Sequence, residues 1–201
     1  MTAQRLFQQI EFVCQLDKLK SISRQTLLTD KSRQENSAEH SWHIALMAIV
    51  FMEYAPGPIN LQRVMAMLLV HDLVEIDAGD TFCYDLQGNQ DKAAREQQAA
   101  DRLFGLLPTD QATELRTLWE EFEAQLTLEA RFATALDRLQ PLLNNQKTEG
   151  GTWRLHGITR DQVLERMAPV ADGAPKLWVF VQQVIEDCVA AGYLRDSCTK
   201  L

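Results

Sequence analysis

Residues 60–80 read NLQRVMAMLLVHDLVEIDAGD, an apolar helical run that ends on a charged doublet. The rest of the chain is read outward from it. Asn60 can cap this helix, because its side-chain oxygen accepts from an orphan N–H of the first turn. The helix reaches at least His71-Asp72, and Gly79 breaks the segment that follows. Adjacent residues on a helix point about 100° apart. His71 and Asp72 can therefore serve one ion only at a helix end, or where the ion sits between two neighbouring helices. Imidazole and carboxylate together suit a borderline or hard divalent cation. The chain has only four histidines, and His40 and His43 stand upstream of the doublet.

The same helical period runs through almost the whole chain. Leu6, Ile10, Val13 and Leu16 mark an amphipathic helix from about Gln4 to Leu19. Residues 20 to 36 are polar without a clear period and read as a long loop, the kind that is often functional. Asn36 with Glu39 fits a capping box for a helix that runs through Tyr54, ended by Pro56-Gly57-Pro58. Further helices are expected from about Asp91 to Phe104 and, after Pro108, from about Asp110 to Gln125. Thr127 can cap a long helix to Asn145, with a kink or break near Pro141. Gly150-Gly151 turns the chain, Thr159 with Gln162 makes a second capping box, and Pro175 sits near the start of a last helix through Ala191. No alternating strand pattern and no internal repeat is evident. The expectation is an all-α fold, a single domain over 1–201. It is a helical bundle with its core over about 4–147 and a C-terminal helical extension over about 157–192.

At 201 residues the chain suits one domain with a sizeable core. A formal charge of −8 disfavours a nucleic-acid polymer as partner, since such surfaces cluster Lys and Arg. It leaves room for a small anionic substrate held by a metal and one or two local cations. The longest apolar stretch, Ile44 to Met52, is too short to span a membrane. Met1 to Cys14 has no signal-peptide pattern, so a cytoplasmic protein is expected. Cys14, Cys83, Cys188 and Cys198 show no paired spacing and are expected as reduced, mostly buried thiols.

The metal constellation is His40, His71, Asp72 and Asp137. His40 and His43 lie three apart on one helical face, so either could ligate, and the H…HD…D order predicts that His43 stands outside the ligand set. Asp137 sits among Phe132, Ala135, Leu136, Leu139, Leu142 and Leu143. A buried carboxylate needs a partner, and a metal supplies one. Arg138 is the competing partner, but its neighbouring position points it elsewhere. Glu75 follows His71 by four and Asp72 by three, so on a continuous helix it shares their face and becomes a candidate general acid or base. Asp77 and Asp80 flank Gly79, with Asp80 the better placed to orient water or bind a second ion and Asp77 equally well read as plain surface.

The order H…HD…D, with the strings HDLVEIDAGD and RQENSAEHSWH, resembles the HD-domain metal-dependent phosphohydrolases, and within them the 5′-deoxynucleotidase branch. The resemblance covers the first helix to about Asn145. It implies a divalent transition metal (Mn, Co, Fe, Ni or Zn) on His40, His71, Asp72 and Asp137. It also implies hydrolysis of a small phosphorylated substrate, a (deoxy)nucleoside 5′-monophosphate, in a homodimer. Matched by position, Glu75 becomes the catalytic acid/base. Asp80 becomes a further acidic site residue, with a second ion such as Mg near Glu75 and Asp80. Arg24, in the segment LKSISRQ, becomes a phosphate-binding arginine at an exposed loop position, and Lys31 and Arg33 of that loop read as solvated.

The Gly-Tyr-Pro element of cyclic-dinucleotide phosphodiesterases is missing, and no His follows the doublet until His156, unlike cyclic-nucleotide phosphodiesterases. Leu139-Gln140-Pro141 and residues 150–156 match no part of the nucleotidase pattern. The alternatives are another HD-type nucleotide hydrolase, a pyrophosphohydrolase or phosphodiesterase, and a non-catalytic helical module with a structural metal. Trp42, Trp119, Trp153 and Trp178 read as core or interface anchors. Leu177, Phe180, Val181, Val184 and Ile185 read as a core stripe, with a dimer contact as the alternative.

Overall fold

The computed structural model describes residues 3–197. Helix α1 (Ala3–Leu16) passes through a 3₁₀ turn (Asp17–Ser21) into strands β1 (Ser23–Leu27) and β2 (Gln34–Asn36). Then come α2 (Ser37–Val50), α3 (Leu61–Val70), α4 (Glu75–Ala78), α5 (Lys92–Phe104), α6 (Thr109–Ala124) and α7 (Leu128–Lys147). The chain closes with α8 (Gly151–His156), α9 (Arg160–Met167), α10 (Pro169–Gly173) and α11 (Pro175–Ala190). The all-α class is correct.

Local side-chain chemistry sets the helix starts. Asn36 accepts from the Glu39 N–H at 2.9 Å while its own N–H donates to the Glu39 carboxylate at 3.2 Å, a closed capping box. Asn60 accepts from the Arg63 N–H and Thr127 from the Ala130 N–H, so the caps expected at Asn36, Asn60 and Thr127 form. Helix α7 runs through Pro141 without the expected break, and the Asn145 side chain donates to the Pro141 carbonyl at 2.9 Å.

The loop expected over 20–36 is instead an antiparallel hairpin, and the first helix gives way to the 3₁₀ turn before Leu19. The strands pair Ser23 with Asn36 and Leu27 with Gln34, with an irregularity between the two pairs. That irregularity shifts the inside-outside alternation, so period two never shows in the sequence. The short helices α8 and α10 were not expected either. Cys14 is exposed and Cys83 half-buried, so of the described thiols only Cys188 is buried as expected; Cys198 lies outside the described residues. Trp42 is 63% exposed and is no core anchor, and Phe180 turns outward from an otherwise buried stripe. Among the described residues, no helix is long and apolar enough to cross a membrane.

One buried cluster joins Ile44 of α2, Met67 and Leu68 of α3 and Leu136 of α7 to Val163, Val170, Val181 and Ile185 of α9, α10 and α11. A second cluster holds Phe12, Leu19, Val74, Leu103, Phe104 and Trp119. The long helix α7 is seated against α10 through Gly173, where a Cβ would fall 2.1 Å from the Arg131 carbonyl oxygen. Gly173→Ala should therefore force the two helices apart. The expected loss is about 1–3 kcal/mol, the usual cost of overpacking, seen as a lower urea midpoint at unchanged slope. An unchanged midpoint would contradict this close seating.

Candidate metal centre

Three helices that pack pairwise, α2, α3 and α7, bring the expected ligands together. His40 lies in the first turn of α2, His71 is the C-terminal cap of α3, Asp72 lies in the turn beyond it, and Asp137 is on α7. His40 is fully buried, and the other three are at most 8% exposed. The His40 Nε2 to Asp137 Oδ1 distance is 2.9 Å, His71 Nε2 to Asp72 Oδ1 is 3.0 Å, and His71 Nε2 to Asp137 Oδ1 is 3.7 Å. Ligand atoms of His40, His71 and Asp72 all lie within 4.8 Å of one another.

Hydrogen bonds on the far side of each ring decide what these atoms can do. His40 Nδ1 lies 3.1 Å from the Gln140 side-chain oxygen, and His71 Nδ1 lies 2.8 Å from the Leu68 carbonyl. Both partners only accept, so each Nδ1 carries the hydrogen and donates it. In a neutral ring Nε2 then carries a bare lone pair, facing carboxylate oxygens that also only accept. Such a group of acceptors holds together only around a proton or a cation. Among the described residues, buried His71 Nε2 makes no well-aligned hydrogen bond despite lying 3.0 Å from Asp72 Oδ1. Without a cation, protons are drawn to the rings. Burial and Arg24 pull the His40 ring down, but the carboxylates of Asp137 and Glu35 outweigh them and raise its pKa. Burial opposes ionisation of Asp137 too, yet His40, His71 and Arg138 hold it well below the usual carboxylate range. Two pinned imidazoles and two carboxylates are a donor set that fits a divalent transition ion.

The remaining expected residues are placed as follows. Glu75 does not share a helical face with His71 and Asp72, because α3 ends at Val70 and Glu75 opens the separate helix α4. The turn nevertheless folds it back into the same cavity, 5% exposed, where Ser37 Oγ donates to it at 2.6 Å. Burial, and then the charge of Asp72, push the Glu75 carboxyl well above the ordinary range, with Arg24 pulling the other way. Asp80 follows Gly79, whose φ of 74° suits glycine, and lines the same cavity; burial pushes it up as well. Arg24 is not on an exposed loop. It sits in β1 with its side chain 13% exposed, donating to Asp72 at 2.8 Å and lying 3.8 Å from Glu35 and 3.9 Å from Asp80. Asp77 goes to the surface, where it pairs with Arg102. His43 stands outside the cage, 3.3 Å from the Gln140 amide. Lys31 and Arg33 pair at the surface with Glu149 and Glu39.

Arg138 corrects the sequence reading: it does not point elsewhere but donates to Asp137 Oδ2 at 2.9 Å. Two further contacts were not foreseen. Gln140 donates to buried Glu35 at 2.6 Å while its oxygen holds His40. Its position three after Asp137, on one face of α7, was the available signal. Glu35 gave none, being 105 positions away from Gln140.

Metal-stripped protein titrated with a divalent cation should rise in stability by about 2.7 kcal/mol at a hundred times the Kd, read as a shift in Tm. His71→Asn and Asp137→Asn should each lose most of that shift. An undiminished shift in both would place the ion elsewhere.

The HD domain profile matches residues 16–178. The human protein 5′-deoxynucleotidase HDDC2 is 31% identical over 141 residues, 70% of this chain and 68% of its own length. The 5′-deoxynucleotidase hdd1 of Schizosaccharomyces pombe is 25% identical over 145 residues, covering 70% of this chain and 72% of its own length. Among solved structures, a "Predicted metal-dependent phosphohydrolase" from Magnetospirillum magnetotacticum MS-1 superposes with a TM-score of 0.92 at 55% identity, covering 96% of both chains. The profile, these similarities and the buried His-Asp cage agree, and the chain belongs to the HD-domain family of metal-dependent phosphohydrolases.

Proposed function

We propose that this protein is a phosphomonoesterase acting on nucleoside 5′-monophosphates, deoxynucleotides among them. The observation that carries the reading is the company kept by the cage. Glu75, Asp80 and Arg24 line one cavity with His71, Asp72 and Asp137. A structural ion would need only its ligands, and three more buried or half-buried ionisable groups beside it would add desolvation cost without benefit. The names of the similar proteins, 5′-deoxynucleotidases from human and yeast, support the substrate class.

His40, His71, Asp72 and Asp137 would hold the ion, one of Mn, Fe, Co, Ni or Zn. When bound, it supplies Lewis acidity toward a phosphoryl oxygen and lowers the pKa of a bound water. Burial, and then the charge of Asp72, favour the protonated form of Glu75, the form that can protonate the leaving ribose oxygen. Ser37 fixes the carboxyl that gives this proton. Asp80 stands near enough to share the proton load, and a second hard cation such as Mg would bind at Glu75 and Asp80 only by displacing it. Arg24 offers a planar fork that matches phosphate oxygens. Its carboxylate partners also make it a support of Asp72, so its loss would cost more than substrate contact. The same reading makes the protein a cytoplasmic homodimer.

The test is phosphate release from purified protein with a panel of ribo- and deoxyribonucleoside monophosphates, diphosphates and cyclic nucleotides, each with several divalent metals. The monophosphates should be the turned-over group; turnover of diphosphates or cyclic nucleotides alone would replace the reading with a pyrophosphohydrolase or phosphodiesterase. Glu75→Gln should keep its metal and lose activity on the order of 10²–10⁴-fold, the usual share of a positioned acid. Near-native turnover in that metal-loaded variant would remove Glu75 from the reaction.

A further inference from the structure

We propose that Arg138 and Arg166 form a second anion-binding subsite in this cavity, which takes phosphoryl oxygens of the substrate. The inference rests on the phosphomonoesterase reading. It starts from a charge count among the cations that line the cavity, which are Arg24, Lys92, Arg138 and Arg166. Arg24 is matched by Asp72, Glu35 and Asp80 within 4 Å, and Lys92 pairs with Glu96 at 3.2 Å. Within 4 Å Arg138 has Asp137 alone, with Glu123 of the cavity wall acting on it from farther away, and among the described residues its buried Nε has no hydrogen-bond partner. The Arg166 side chain makes no hydrogen bond and no ion pair among the described residues.

Arg166 is also built into the wall rather than left at the surface. Helix α9 presents Val163, three positions before it, and Met167 beside it to the same cavity, and both are buried. Arg166 is half-buried among them. Its charge reaches Arg138, Cys83 and Tyr84, of which the first repels it and the other two carry no opposing charge. Two guanidinium groups that repel each other in a partly buried cavity, with Asp137 the one carboxylate in direct contact with either, are an unfavourable arrangement in isolation. An anion relieves it. The deficit grows once the charge of Asp137 is given to a bound ion. Support of Asp137 accounts for one donor of Arg138, but it accounts for nothing at Arg166. Forked guanidinium donors suit the planar pairs of oxygens on a phosphoryl group, and Arg138 already stands next to the cage where that group must react. Arg166 also lies beyond about Asn145, where the motif resemblance ends, so the C-terminal helices would contribute directly to substrate capture.

The experiment uses inorganic phosphate as the probe, titrated calorimetrically into the metal-loaded full-length protein. Wild type, Arg166→Gln and Arg166→Lys are compared, with metal content and Tm measured on each. Arg166→Gln should weaken phosphate binding on the order of 10–100-fold, the range of one charge-assisted contact, with Arg166→Lys between it and wild type. For a monophosphate substrate the loss should appear mainly in KM. Phosphate affinity within about twofold of wild type in Arg166→Gln would overturn the subsite, as would a wild type that takes up no phosphate. The two readings separate cleanly. Arg166-dependent phosphate binding without turnover of any nucleoside monophosphate keeps the subsite and sinks the substrate class. Turnover with Arg166-independent phosphate binding does the reverse.

Discussion

Two imidazoles and two carboxylates buried at one point inside a helical core are stable only if their charges are cancelled on the spot. Transfer of an isolated ion into a low-dielectric interior costs far more than a domain's whole stability margin. The surrounding structure follows from that constraint. Helices α2, α3 and α7 must meet closely, and Ile44, Met67, Leu68 and Leu136, each with no exposed surface, are the packing that holds them. The rings cannot rotate, because Gln140 and the Leu68 carbonyl fix their outer nitrogens. Glu35 in turn holds Gln140, so a residue of the hairpin anchors the back of the cage.

The front of the cage is a different electrostatic problem. There the cavity mixes carboxylates and guanidinium groups, and their distribution is uneven. On the Arg24 side carboxylates outnumber cations, and burial first, with the charge of Asp72 adding to it, pushes the Glu75 and Asp80 carboxyls upward against the pull of Arg24. On the Arg138 side, Arg138 Nε and the Arg166 guanidinium have no direct partner among the described residues. A phosphate monoester being cleaved needs both: a proton for its leaving oxygen and cations for its non-bridging oxygens. The segments that supply the two sides come from opposite ends of the chain. The hairpin brings Arg24, and the C-terminal helices bring Trp153 and Arg166 to the same cavity.

What could be read from the sequence is what local chemistry determines. Asn36, Asn60 and Thr127 cap helices because a cap is a contact between residues three apart. The four cage residues could be named because carboxylate and imidazole stood out within apolar helices. Their convergence then depended only on three helices packing together. Glu75 was named for a wrong geometric reason: a turn, not a continued helix, returns it to the cavity. The hairpin was hidden by its short strands and its irregular register. Arg138 was misdirected because a long side chain reaches round the helix to its neighbour's carboxylate. Gln140 had only its place three after Asp137 on α7 as a signal, while Glu35 and Arg166 come to the site through the fold, and no local pattern announces them.

The most direct measurement is anomalous scattering from crystals of the protein grown with zinc. One strong peak should lie between His40, His71, Asp72 and Asp137, with the imidazole Nε2 atoms and carboxylate oxygens at about 2.0–2.2 Å. Well-ordered zinc bound elsewhere, with these four side chains still joined only to one another, would contradict the cage as the metal centre.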